Sequence, residues 1–143
     1  MAAVSMKFAK RDAFTKQLLA VVPEAEKELA DANQKSAQAF LEMAQRLCPV
    51  GETGALLASI RMYPGRAPGS WVVEAGGPTT TKPVRKGVKS TYDYALGAEF
   101  GTEDTTATPF FWPSYRSQKR PAKGRATRAL TKAIRAKGFG TNG

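Results

Sequence analysis

Two prolines, Pro23 and Pro49, bracket the stretch that most constrains this chain. Between them apolar residues recur at helical spacing: Ala25, Leu29, Ala32, then Phe40, Met43 or Ala44, and Leu47. Pro23 suits a first helical turn because its ring already holds φ near the helical value. Glu24, Glu26 and Glu28 then face the positive end of the helix dipole. Pro49 disfavours a helical conformation at Cys48, so the helix stops there. The spacing predicts one helix of about 26 residues, roughly 39 Å long. A chain of 143 residues fits one domain. A domain of that size leaves part of so long a helix uncovered. The helix is expected to pack partly on its own sheet and partly on a neighbouring subunit.

Around this helix the chain reads as short pieces. Residues 1–22 form an N-terminal arm or short helix, with Phe14, Leu18, Leu19 and Val22 on one face. Thr53 is the expected N-cap of a short helix that runs to Ser59. Ile60 to Tyr63 and Trp71 to Ala75 read as paired strands, joined by a turn at Pro64, Gly65, Pro68 and Gly69. Residues 78–91 are polar, basic and turn-rich, an exposed loop or extended hairpin arm. A further short element covers Tyr92 to Phe100. Pro113 is placed to start a last helix, which Pro121 and Gly124 are expected to break. Its clearest stretch is Ala126 to Ala136, with Leu130, Ala133 and Ile134 on one face. The fold class expected is α+β: a long N-terminal helix on a small antiparallel β-sheet, with a C-terminal helix. The single domain covers residues 23–137, and residues 138–143 are a flexible tail.

Composition narrows the function. The chain has no histidine, which removes the commonest general base and the commonest zinc ligand. Its one cysteine, Cys48, has no partner for an internal disulfide and reads as a small buried apolar residue. No apolar run approaches the roughly 20 residues of a membrane span. Met1 to Phe8 lack a basic stretch followed by an apolar one, so the chain is expected to stay in the cytosol unless it leaves inside an assembly. The net charge is +10, and it is uneven. Nine of the 22 basic residues and none of the 12 acids lie after Asp104, so residues 105–143 carry +9 and the preceding chain +1.

Few constellations offer chemistry. No phosphate-binding glycine loop, paired cysteines or calcium-loop acid spacing is present. Glu99, Glu103 and Asp104 form an acidic cluster that a metal or an acid/base pair could use; solvated loop charges or intersubunit ion pairs explain it more simply. Asp93, between Tyr92 and Tyr94, reads as a turn residue. The cationic run of Arg116, Lys119, Arg120, Lys123, Arg125, Arg128, Lys132, Arg135 and Lys137 would attract phosphates with strong salt dependence. A solvated helix face, or docking on an acidic neighbour, accounts for the same pattern.

Three stretches carry a resemblance. The first, after the long helix, is Pro49-x-x-x-Thr53-Gly54-x-Leu56-x-x-Ser59-Ile60. The second is Tyr94-Ala95-x-x-x-Glu99-Phe100-Gly101-Thr102. The third is Pro109-Phe110-Phe111-x-Pro113, leading into the last helix. Their order and spacing resemble the HK97 gp10-like family of tailed-phage proteins, found among head–tail joining and tail-completion components. None of the motif positions asks for catalysis. Thr53-Gly54 would cap a helix, Gly101 would permit positive φ while Phe100 plugs the core, and Pro109 to Pro113 would aim the last helix.

The resemblance implies a virion subunit at the neck or head-proximal tail end, assembled in the host cytoplasm, with no cofactor, membrane or small-molecule substrate. It implies a homo-oligomeric ring, with a hexamer favoured. The neighbours would be head-completion or connector proteins and tail terminator or tail-tube proteins, and genomic DNA would pass through the lumen. The competing readings are a stand-alone nucleic-acid-binding protein using its basic C-terminal segment and, more remotely, a small metal-dependent hydrolase built on Glu99, Glu103 or Asp104.

Overall fold

The helical period extends beyond the first of its bracketing prolines. In the structure, a computed structural model that describes residues 11–138, helix α1 spans Arg11–Leu47. Its 37 residues reach about 56 Å. Pro23 therefore sits inside the helix rather than starting it. The apolar register explains this: Val21, Ala25, Leu29 and Ala32 continue one inward face straight across the proline, while Pro23 points to solvent. The cost is one carbonyl a turn earlier without its intrahelical donor. Residues 1–10 of the expected arm and the tail from 139 onward lie outside the described residues.

The C-terminal helix α4, Phe111–Ala136, is likewise continuous. The expected break at Pro121 and Gly124 does not occur, and the helix starts two residues before Pro113. Ser114, Gln118, Ala122, Ala126, Ala129 and Ala133 form one inward stripe that keeps its register across Pro121. Pro121 and Ser117, whose carbonyl loses its donor, are both exposed, so water can take the missing bond. The most extensive contact in the molecule is α1 against α4. The two run antiparallel: Phe40 meets Phe111 and Tyr115 edge-on, at 5.0 and 6.2 Å between ring centroids, while Glu28 pairs with Lys132 further along. Ala32, Ala37 and Ala44 of α1 and Ala129 and Ala133 of α4 are buried. Small side chains on both helices allow close approach of their axes.

Two small antiparallel ladders occupy the chain between these helices, so the sheet expected beside α1 is split. After helix α2, Ala55–Ser59, strand β1 (Arg61–Pro64) pairs with β2 (Trp71–Glu74), with Arg61 opposite Glu74 and Pro64 opposite Trp71. Their connecting loop lies on α1: Asn33 Nδ2 donates to the Gly69 carbonyl at 3.0 Å, and Gly69, at φ 72°, faces Ala30. Strand β3 (Thr81–Pro83) pairs with β4 (Thr91–Asp93), so the basic 78–91 segment is the expected hairpin arm. Helix α3, Tyr94–Phe100, follows β4 without a loop.

The core gathers where these pieces meet. Ala44 and Cys48 from α1, Leu56 and Ile60 around α2, Ala95 from α3 and Phe110 before α4 form one buried cluster. Burial also raises the Cys48 thiol above its ordinary value, in keeping with a packing role. Long helix, small antiparallel ladders and C-terminal helix together make an α+β fold.

Candidate assembly surfaces

The three resembling stretches converge on this core. Leu56 from the first, Ala95 from the second and Phe110 from the third pack in the same cluster. Ser59 is buried; its Oγ donates to the Leu56 carbonyl at 2.6 Å and accepts from the Gly76 N–H at 3.0 Å. That bond ties α2 to the end of β2. Gly54, not Thr53, is the N-cap of α2, in a left-handed conformation at φ 62°. Thr53 stands one residue earlier, where its Oγ1 accepts a long 3.4 Å bond from the Ala55 N–H. A left-handed residue at the cap suits glycine and would strain threonine.

Glu99 is the residue whose role the sequence hides. It is 8% exposed, unlike Glu103 and Asp104. One carboxylate oxygen accepts from the N–H groups of Phe110 and Phe111, the other from Trp112, all at 2.9 Å. Phe110, at the N-cap position of α4, offers no side-chain acceptor. Glu99 supplies it from a different helix, and its charge sits at the positive end of the α4 dipole. Glu103 and Asp104 are exposed on the following loop. Among the described residues no group of three acidic or sulfur ligands converges on a metal-sized site.

Turning Glu99 inward turns its neighbours outward. Ala95 and Glu99, one turn apart, face the core, so Leu96 and Phe100, also one turn apart, face solvent. Phe100 is 65% exposed and does not plug the core as expected. Gly101 does take the positive φ the turn requires, 79°, and its N–H closes α3 on the Gly97 carbonyl at 2.8 Å. Thr102 packs its methyl near Gly97, and its N–H and carbonyl pair with Thr105. Tyr94 is half-buried beside the core, with Lys82 Nζ 5.2 Å from its ring centre. Pro109 is exposed, and Pro113 is half-buried in the first turn of α4.

Asp93 does more than turn the chain. Its carboxylate accepts from the Thr80 hydroxyl at 2.6 Å, the Gly77 N–H at 2.8 Å and the Ala95 N–H at 2.9 Å, capping α3 and locking it to the hairpin base. Burial pushes this carboxyl up, but the bonds from Thr80, Ala95 and Gly77 outweigh it and hold it below its ordinary value.

Three surfaces remain free of these duties. The first is cationic. Arg116, Lys119, Arg120 and Lys123 are exposed and share one face of α4 by spacing. Arg125, Arg128, Lys132 and Arg135 share another, beside the acids of α1. There Lys132 bonds Glu28 at 2.8 Å and Arg125 donates to Ser36 Oγ at 3.4 Å. The bond and charge of Glu28 raise the Lys132 ammonium above its usual value, and Glu24 and Asp31 add to the effect. The second surface is a cleft of about 490 Å³ whose exposed apolar walls are Leu96, Phe100 and Trp112. The third is the hairpin tip, where Val84 and Val88 are exposed among Arg85, Lys86 and Lys89. The 78–91 arm is a contact candidate from the sequence as a long, polar, basic loop, whereas the cleft is not expected from it. The available signal was α3 itself, where a carboxylate at position 99 and an aromatic at position 100 compete for one inward face. Among the described residues no helix is long and apolar enough to cross a membrane.

Residues 12–101 match the family model described as "Bacteriophage HK97-gp10, putative tail-component". The match takes in the first stretch and the second as far as Gly101, and ends before the third. No curated protein and no solved structure matches the chain.

Proposed function

The chain belongs to the HK97-gp10-like family of bacteriophage tail components, and from that premise we propose that it is a subunit of a ring at the head–tail junction or the head-proximal end of the tail. The observation that carries the proposal is the family match over most of the fold, from α1 to the end of α3. Its motif residues serve the scaffold: Leu56 and Phe110 pack, Ser59 and Glu99 bond backbone, and Gly54 and Gly101 hold left-handed turns. What the scaffold leaves for other molecules is surface, apolar at Leu96, Phe100 and Trp112 and basic along α4.

On this reading the subunit works by contact and not by catalysis. The domain is residues 23–137, with α1 extending it toward the N-terminus. Identical copies meet through unlike surfaces, and such an interface closes into a ring when its rotation allows; six copies is the number we favour. Head-completion or connector proteins would adjoin one rim, and tail terminator or tail-tube proteins the other. Genomic DNA would pass through the lumen, and Arg116, Lys119, Arg120 and Lys123 are the cations best placed to meet it or an acidic neighbour. The complex would assemble in the host cytoplasm and leave in the virion.

Electron microscopy of the purified particle, with this subunit located in the map, tests the proposal. A closed ring at the neck or head-proximal tail end is expected. Absence of the chain from every particle would overturn it. The same cationic face favours a second reading, a stand-alone nucleic-acid-binding protein. Salt-sensitive DNA binding by the isolated monomer would support that reading.

A further inference from the structure

The hairpin of β3 and β4 stands away from the rest of its chain. Residues 82–92 are all exposed, so its tip rests on nothing of its own. The tip is nevertheless ordered by its own bonds: the Val84 N–H donates to the Ser90 carbonyl at 2.9 Å and the Val88 N–H to the Arg85 carbonyl at 3.1 Å. Gly87, at φ 86° with open space around it, makes the turn. The result is a small knob with two valines, 58% and 47% exposed, ringed by Arg85, Lys86 and Lys89.

The Leu96–Phe100–Trp112 cleft has the opposite character. Its exposed walls are apolar, its lining also holds the carboxylates Glu74, Asp93 and Glu99, and three and four residues after Phe100 in sequence the exposed loop carries Glu103 and Asp104, the last acids of the chain. Among the described residues neither takes part in a salt bridge. Glu74 also lines the cleft but is paired with Arg61. In a chain of net charge +10, a cleft lined by apolar residues and carboxylates with no basic residue is a local exception.

The knob does not fill its own cleft: none of residues 82–92 lines it, and all of them are exposed. Asp93 lines the cleft and ends β4, so the hairpin is rooted at the cleft edge.

We propose that the tip of this hairpin, Val84 and Val88 with Arg85, Lys86 and Lys89, docks in the Leu96–Phe100–Trp112 cleft of a second copy of the chain. The valines cover the apolar walls, and the cations meet Glu103 and Asp104. Knob and cleft are different surfaces of one molecule, so the contact is heterologous and leaves a free knob and a free cleft at every step. That property makes a ring, and the inference rests on the ring reading above while naming the contact that builds it.

Cysteine pairing of full-length chains tests it. One preparation carries Val88→Cys and the other Phe100→Cys; both sites are exposed, and Cys48 stays buried in each. On mixing under mild oxidation, the mixed disulfide is expected to exceed either like-with-like dimer about tenfold. Charge reversal gives a second arm. Arg85→Glu with Lys86→Glu should weaken self-association measured by sedimentation by about tenfold, equivalent to ~1.4 kcal/mol. Adding Glu103→Lys and Asp104→Lys to the same chain, so that every knob–cleft pair is reversed on both sides, should restore it. Oligomers that form without the mixed disulfide, or that are not rescued by the swap, overturn the docking and leave the ring standing. A chain that stays monomeric at millimolar concentration and gives no mixed product also overturns it, and the ring is then judged separately in the particle map.

Discussion

Removing the Glu99 carboxylate should cost this fold more than any other single polar change. Three backbone donors depend on it, at Phe110, Phe111 and Trp112. In Glu99→Ala the Phe110 N–H, on a residue 1% exposed, is left without its buried carboxylate partner, at about 2 kcal/mol. The Phe111 and Trp112 N–H groups are part-buried and recover some hydration, so each loses on the order of 0.5–1 kcal/mol. The total is about 3–4 kcal/mol. Glu99→Gln keeps the shape and one acceptor oxygen but sets an NH₂ group against a backbone N–H, so roughly half that loss is expected. Urea unfolding followed by tryptophan fluorescence measures both, and Trp112 sits at the site. At about 3 °C per kcal/mol for a chain of this length, Glu99→Ala should melt about 10 °C lower. A loss under ~1 kcal/mol for Glu99→Ala would refute the reasoning, because it would mean that water replaces the carboxylate at the start of α4 without penalty. So would a Glu99→Gln protein less stable than Glu99→Ala.

Other expectations follow from particular contacts. Gly101→Ala places a Cβ 3.0 Å from the Ala107 nitrogen and the Thr105 oxygen at φ 79°, and should cost about 2 kcal/mol or more. Gly87→Ala, at a similar φ but in open space, should cost about 1 kcal/mol, and paired thermal melts isolate the clash. Asp93 is held below its unfolded value, so its contribution is complete at neutral pH and lost as pH falls below about 4 through the lowered folded value. Asp93→Asn should therefore lose about 1–2 kcal/mol at pH 7, with a gap to the parent protein that shrinks on acidification, as urea unfolding across pH would record. Replacing Arg116, Lys119, Arg120 and Lys123 by Gln should lower the salt slope of any DNA binding by about 3–4. The same change at Arg125, Arg128, Lys132 and Arg135 should lower it less, because Glu28 and Ser36 already engage part of that set; equal losses measured by fluorescence anisotropy would count against the division into two faces.

The long helices were legible because a helical stripe is a repeated signal. Their ends and joins are less legible for one reason. Pro23, Pro121 and Gly124 are local breakers, whereas the register that runs unbroken across each of them is a property of the whole helix. Proline costs about 3 kcal/mol in a helix interior, but α1 and α4 support each other along most of the shorter helix, and both prolines lie on the solvent side. The hairpin at 78–91 was legible from its turn residues and charge. The α3 assignments were not, because in a helix of seven residues no period accumulates and single residues decide the face. Hydrophobicity alone points Phe100 inward. The backbone donors of a helix eleven residues away point Glu99 inward instead, and that demand is visible only once α4 is in place.

That exchange links the stability of the subunit to its surface. Capping α4 with a carboxylate from α3 fixes the two helices together across the loop of residues 101–110 and commits the 95/99 face to the interior. The 96/100 face is then obliged to be external, and on this chain it carries leucine and phenylalanine rather than charge. A contiguous exposed apolar patch favours association. Retaining Leu96, Phe100 and Trp112 on the outside makes sense when another molecule covers them. On the docking proposed above, the Glu99 cap serves assembly as well as folding, because it holds those three side chains in one cleft. Loosening the start of α4 should blunt self-association even in a Glu99→Gln protein whose fold survives, whereas Val84→Asp should abolish it with the melting temperature unchanged.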